Sequence, residues 1–245
     1  MRKLPVLALL LASLTPTVAP ALTPQWKDLL GGFKSASPQG LGALSDSDIA
    51  AGLKAALSQG TRAAVLNLGK TDGFWANAAA RIPMPSTLKK LEKTVRGVGM
   101  GSYVDQFHLS LNRAAEQAVP VAAEVFAASV RQMTLTDARA ILTGPKDAAT
   151  QYFRRSTGQI LTVKFRPLVA QATTKVGVAS RYKQLTAAAG PFAGALGAPT
   201  DLDGYVTEKA LDSLFLQVAA EELRIRENPA ARGSEILRKV FGNQK

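Results

Sequence analysis

The chain has 245 residues, 47% of them hydrophobic and 20% charged, with 30 Lys+Arg against 18 Asp+Glu for a formal net charge of +12. That is long enough to bury a core without covalent staples, and the composition is neither disordered nor collagen-like. The absence of cysteine excludes disulfides, thiolate zinc sites, iron–sulfur clusters and thiol catalysis, and the single histidine, His108, rules out a multi-histidine metal centre within one subunit.

Residues 1–21 read as an export signal. Arg2 and Lys3 form a positive start, Leu4–Leu14 an apolar run, and Ala19-Pro20-Ala21 an A-x-A cleavage pattern, with cleavage expected after Ala21. The run is too short for a bilayer of roughly 30 Å, which takes about 20 residues. Arg2 and Lys3 leave with the signal, so the 28 basic residues that remain stand against 18 acids, a net charge of +10. Export and zero cysteine fit a bacterial periplasm, where a free thiol would face oxidation and where nucleic acid is not an expected partner. With no cysteine at the cleavage point, no lipid anchor is expected.

Segment 22–41 is expected to be a flexible mature N-terminus, followed by one compact all-α domain over 42–245. Ser45-Asp46-Ser47-Asp48 has capping-box spacing ahead of Ile49, Leu53, Leu57, Ala64 and Leu68, with Gly60 a candidate interruption and Gly69 or Asp72-Gly73 the end. Ile82-Pro83-Met84-Pro85 must be extended, because each proline disfavours helix at the residue before it. Ser86 then opens a helix with Leu88, Leu91, Val95 and Val98 inward. Glycines 97, 99 and 101 bend the chain into a helix over Ser102 to about Met133, which Pro120 should kink or split. Thr134-Leu135-Thr136-Asp137 repeats the cap, and Thr143-Gly144-Pro145 separates that helix from the next. Helices over 146–155, 157–177 (kinked at Pro167), 179–188, 205–226 and 229–240 complete roughly eight to ten, with a small-residue hinge at 187–199.

Two helices carry polar groups beyond simple amphipathicity. At 100° per residue, Asp105, His108, Asn112 and Glu116 fall within about an 80° arc, with Arg113 at its edge, opposite Val104, Phe107, Leu111, Ala115 and Ala118. Such an arc could move protons or hold an oxyanion, or it could be a solvated face with local hydrogen bonds. In the 205–226 helix Glu222 falls within the inward stripe of Leu211, Leu214, Val218 and Ile225, with Glu221 at its border. A carboxylate there must be tied to a buried arginine or placed at a cleft, and Arg226, Arg154, Arg155 and Arg166 are the candidate partners. Asp201-Leu202-Asp203-Gly204 fits a turn into a helix better than a calcium loop, which needs a further oxygen ligand before its glycine and a later glutamate. No cofactor or metal motif is present. Phe153-Arg154-Arg155, Lys164-Phe165-Arg166 and Leu237–Phe241 mix basic and apolar residues, as an anionic surface contact or a snorkelling helix face does.

Several stretches resemble an uncharacterised family of exported bacterial proteins, domain of unknown function 4197. They are Gly60-Thr61, Leu68-Gly69, Asp72-Gly73-Phe74, Ile82-Pro83-Met84-Pro85 and Asn112-Arg113-Ala114-Ala115-Glu116, then Ala118-Val119-Pro120, Ile141-Leu142-Thr143-Gly144 and Tyr152-Phe153. Tyr205-Val206-Thr207 through Ala210-Leu211, and Ile225-Arg226 through Asn228-Pro229-Ala230-Ala231-Arg232, complete a resemblance that spans about residues 42–243. It implies a single helical domain in the envelope of a Gram-negative-type bacterium, and it brings no activity. The arc residues Asn112, Arg113 and Glu116 lie inside the family's pattern and His108 outside it, which counts against histidine chemistry. Many relatives carry a lipid-attachment cysteine at the signal's end, where this chain has none.

The leading expectation is a non-enzymatic module that binds an envelope protein or an anionic or amphipathic ligand. A histidine-independent hydrolase or lyase would instead use Glu116, Glu222 and Arg113, converging in one pocket. A lipid or small-amphiphile carrier would need a closed apolar cavity.

Overall fold

A computed structural model describes residues 45–190 and 201–227. The predicted signal, the 22–41 segment, residues 191–199 of the predicted hinge and the helix expected over 229–240 lie outside the described residues. Among those described the fold is all-α, with no strand.

Helix α1, Asp46–Gly69, starts where the capping box places it: Ser45 accepts from the Asp48 amide, and the Asp48 side chain accepts from the Ser45 amide. It runs through Gly60 without a break. A β-carbon at Gly60 would lie 3.2 Å from Ile225 Cδ1, so the glycine serves close approach of α1 to the last helix rather than a bend. Residues 81–85 form no helix, as their prolines require, and Pro85 has φ −51° and ψ 137°. A short 3₁₀ turn, Ser86–Leu88, which buries Leu88, leads into α2, Lys89–Gly97, which buries Leu91 and Val95. Val98, expected inward, is 62% exposed, because α2 ends at Gly97 before it. Pro120 divides the next helix, leaving α3, Gly101–Ala118, a 3₁₀ turn over Val119–Val121, and α4, Ala122–Gln132.

Thr134 caps α5, Leu135–Thr143, with the same reciprocal bonds to Asp137. The two helices expected over 146–155 and 157–177 are one, α6, Ala148–Lys175. The buried series Phe153, Thr157, Leu161, Phe165 and Val169 steps by four through the expected break, and the Thr157 hydroxyl bonds the Phe153 carbonyl at 2.6 Å. Tertiary burial thus overrides the weak propensities of Ser156, Thr157 and Gly158. Gly177, in the left-handed region, leads into α7, Val178–Ala188. The final described helix is α8, Leu202–Glu227.

Helix α8 packs on α6 and α1, while α3 packs on α6 and α7. Phe126 meets Phe153 edge-on at 5.1 Å and Phe215 at 6.1 Å, so α4, α6 and α8 share one aromatic core. Among the described residues no helix is long and apolar enough to cross a membrane.

Candidate functional site

The polar arc of α3 lies under the segment that joins α1 to α2. Asp72 turns the chain with a positive φ of 67°, and Phe74, Ala80, Ile82 and Met84 then enter the core. Their descent would bury backbone amides without partners, and α3 supplies partners for those of Phe74 and Ile82. Glu116 Oε1 accepts from the amides of Phe74 (3.1 Å) and Trp75 (3.2 Å), and its other oxygen accepts from Arg113 at 2.7 Å. Arg113 also donates to Asp72 at 2.7 Å. Its guanidinium is held above its ordinary pKa, first by the hydrogen bond to Glu116 and also by that to Asp72, against the effect of burial. Asn112, fully buried, accepts from the Ile82 amide and donates to the carbonyls of Ile82 and His108.

His108 Nε2 lies 2.7 Å from the Ile82 carbonyl, which can only accept, so that nitrogen carries the proton. Its ring meets Trp75 edge-on at 5.1 Å, and the Arg81 guanidinium lies over the same indole at 4.8 Å. Asp105 stands apart at the exposed end, paired with Arg96 at 2.7 Å. The arc therefore clamps a loop along most of its length.

Glu222 occupies a second anchor. Its Oε1 accepts from the Ala149 amide (3.0 Å) and from Arg226, and its Oε2 from the Thr150 amide (2.9 Å) and hydroxyl (2.8 Å). A carboxylate set on the N-terminal amides of α6 satisfies orphan donors and meets the positive end of the helix dipole. Of the arginines that sequence offered, Arg226 takes Glu222 and Arg166 takes Asp201, while Arg154 lies over the Phe215 ring at 4.6 Å. Glu221, also buried, pairs with Arg224 at 2.6 Å.

Glu116 and Glu222 do not share a cavity. Glu116 and Arg113 border a polar cleft of about 340 Å³ with Lys175. Glu222 and Arg226 border a void of about 10 Å³ among Leu53, Leu57 and Ile141, room for about one water molecule. Asp201 ends in a turn, its carboxylate accepting from the Gly204 amide at 2.7 Å. Among the described residues no group of three or more His, Asp or Glu side chains could hold a metal ion.

Sequence reasoning missed a cleft of about 320 Å³ between α6 and α8. Its α6 wall is Arg154, Gly158, Thr162 and Arg166, and Leu211, Asp212 and Phe215 of α8 face it. The signal was available as a four-residue step on α6 with a glycine in it, but only the packing of α8 makes that stripe a wall. Arg166 and Thr162 also border an adjoining depression of about 540 Å³ that reaches Val163 and Pro167. Val163 is 64% exposed there and Ile160, on the same helix, 49%.

No curated protein and no solved structure matches the chain. A family model described as "Protein of unknown function (DUF4197)" matches residues 43–242, which covers α1 through α8 and both carboxylate anchors. The chain belongs to this family.

Proposed function

We propose that the protein is a periplasmic, non-enzymatic binding module of the bacterial envelope, exported by a signal cleaved after Ala21, and that it takes an amphipathic partner bearing an anionic group. The observation that carries this reading is the cleft between α6 and α8, where an apolar floor of Leu211 and Phe215 lies beside Arg154. Pockets for small ligands combine mostly apolar lining with a few placed polar groups. Helix α6 strengthens the case, since its 28 residues include five Lys or Arg and no carboxylate, with Ile160 and Val163 exposed among them.

The groups that a hydrolase or lyase would use are otherwise engaged. Glu116 and Arg113 hold the 72–82 segment, and Glu222 holds the start of α6, in separate cavities. Native mass spectrometry of the protein purified from its own periplasm tests the reading. A retained small molecule or partner protein is the expected result. A preparation that carries no bound species overturns it.

A further inference from the structure

The walls of the α6–α8 cleft differ in charge. The two helices run antiparallel: Thr150 meets Glu222 at one end and Arg166 meets Asp201 at the other. Arg154 and Arg166 stand about 18 Å apart on α6, twelve residues at 1.5 Å each. Across from them α8 presents Asp212 and Glu208.

Most of these charges are already matched. Asp201 holds Arg166 at 2.7 Å. Lys209 bridges Glu208 at 2.7 Å and Asp212 at 3.2 Å, one ammonium between two carboxylates, and its pKa is raised first by the bond to Glu208. Arg154 makes no ion pair among the described residues. Its guanidinium carbon lies 4.6 Å over the Phe215 ring instead, a cation–π contact that leaves its N–H donors available for a bidentate carboxylate. The α6 wall therefore has one cation in excess and the α8 wall one carboxylate in excess.

That arrangement disfavours a purely anionic ligand. A fatty acid would offer nothing to the α8 wall, and a phosphate dianion would be repelled by it. A molecule with a carboxylate at one end, N–H donors behind it and an apolar group between matches both walls and the floor. The volume, near the lower end of the range for ligand pockets, sets the size. Resting on the binding-module reading above, we propose that the cleft takes the carboxyl end of a short apolar peptide. The carboxylate sits on Arg154, the last side chain on Phe215 and Leu211, and the peptide N–H groups on Asp212 and Glu208.

Titration calorimetry of the mature protein with the tripeptide Ala-Ala-Leu, its C-terminal amide and decanoate tests this. The free acid binds, and the amide binds about ten- to hundredfold more weakly, the loss expected for a charge-assisted hydrogen-bond pair. Arg154→Ala shows the same loss, and Arg154→Lys, which keeps charge but not the fork, recovers only part of it. Gly158→Leu fills the cleft, where an added β-carbon meets nothing within 4 Å, so binding falls while the thermal midpoint holds or rises. Equal binding of acid and amide, decanoate binding as tightly as the peptide, no binding of the peptide, or binding indifferent to Arg154→Ala each overturns the proposal. If the peptide fails while native mass spectrometry still finds a bound species, the peptide assignment falls and the binding module stands.

Discussion

Asn112 pairs with Ile82 as a neighbouring strand would. Its side-chain oxygen accepts from the Ile82 amide at 2.8 Å and its nitrogen donates to the Ile82 carbonyl at 3.2 Å, both bonds buried. Both backbone groups of Ile82, which has no strand beside it among the described residues, thereby meet one side-chain amide on α3. Asn112→Ala leaves the Ile82 N–H without an acceptor in the core, and a loss of about 2–3 kcal/mol is expected in urea denaturation. Asn112→Asp keeps that acceptor but turns a carboxylate oxygen toward two carbonyls. Protonation restores the donor, so the folded state binds the proton more tightly than the unfolded chain, and this variant regains stability as pH falls. A loss that does not change with pH would mean that packing, not this hydrogen bond, sets the role of Asn112.

Glutamine in place of either buried glutamate separates anchoring from chemistry. In Glu222→Gln the new NH₂ faces a backbone N–H whichever way the amide is turned, with only the Thr150 hydroxyl able to reverse its role and accept, and the Glu222–Arg226 ion pair is lost where Arg226 has only 12% of its side chain exposed. A loss of about 3–5 kcal/mol is expected, the range for breaking a buried ion pair. Glu116→Gln can still accept from Phe74 and Trp75 through its carbonyl, and Arg113 is 27% exposed and keeps Asp72, so a smaller loss of about 2 kcal/mol follows. Thermal and urea unfolding check the order. Variants within about 0.5 kcal/mol of wild type would remove the anchoring role from both residues.

Sequence periodicity exposed the cost at Glu222 but not its resolution. A carboxylate on an apolar stripe is conspicuous along one helix, and Arg226 at i+4 was within reach. The amides of Ala149 and Thr150, more than seventy residues earlier, became visible only once α8 was docked on α6. The arc on α3 was legible as a shared face, yet its environment was not, because the covering segment 72–82 has no period of its own. Local chemistry read true where one turn decides the outcome, at Ser45, Thr134, Pro120 and the Ile82–Pro85 run. It misled at Ser156-Thr157-Gly158, where burial of Phe153 and Leu161 on one continuous stripe outweighs three weak helix formers.

The cap of α5 gives a pH signature. The Asp137 carboxyl is held below the usual carboxylate range, first by the Thr134 hydroxyl and then by the Thr134 amide. A lowered folded pKa means that the contribution is complete above the unfolded value and is lost as pH falls through the folded one. Asp137→Asn is expected to cost about 1 kcal/mol at neutral pH, as for loss of a helix cap. The thermal midpoints of variant and wild type should converge as the pH drops below the usual range for an aspartate. A gap that widens on acidification would contradict the capping geometry.

Two glycines predict opposite responses to the same methyl group. At Gly158, inside α6, an added β-carbon meets nothing within 4 Å, so Gly158→Ala relieves the entropic cost of glycine in a helix and should stabilise by about 1 kcal/mol. At Gly73 the β-carbon would lie 2.4 Å from the Leu68 carbonyl oxygen and 2.5 Å from that of Asn67, both backbone atoms at the end of α1. Neither can rotate aside. Gly73→Ala must therefore shift the turn that delivers Phe74 and Trp75 to Glu116, and a loss of about 2–4 kcal/mol is expected from the strain and the weakened hydrogen bonds together. A double-mutant cycle with Glu116→Gln resolves the two terms. If the turn moves the amides off Glu116, the two losses fall short of adding, by about 1 kcal/mol or more. Strict additivity would mean that the clash is relieved elsewhere in the loop and that Glu116 keeps its grip.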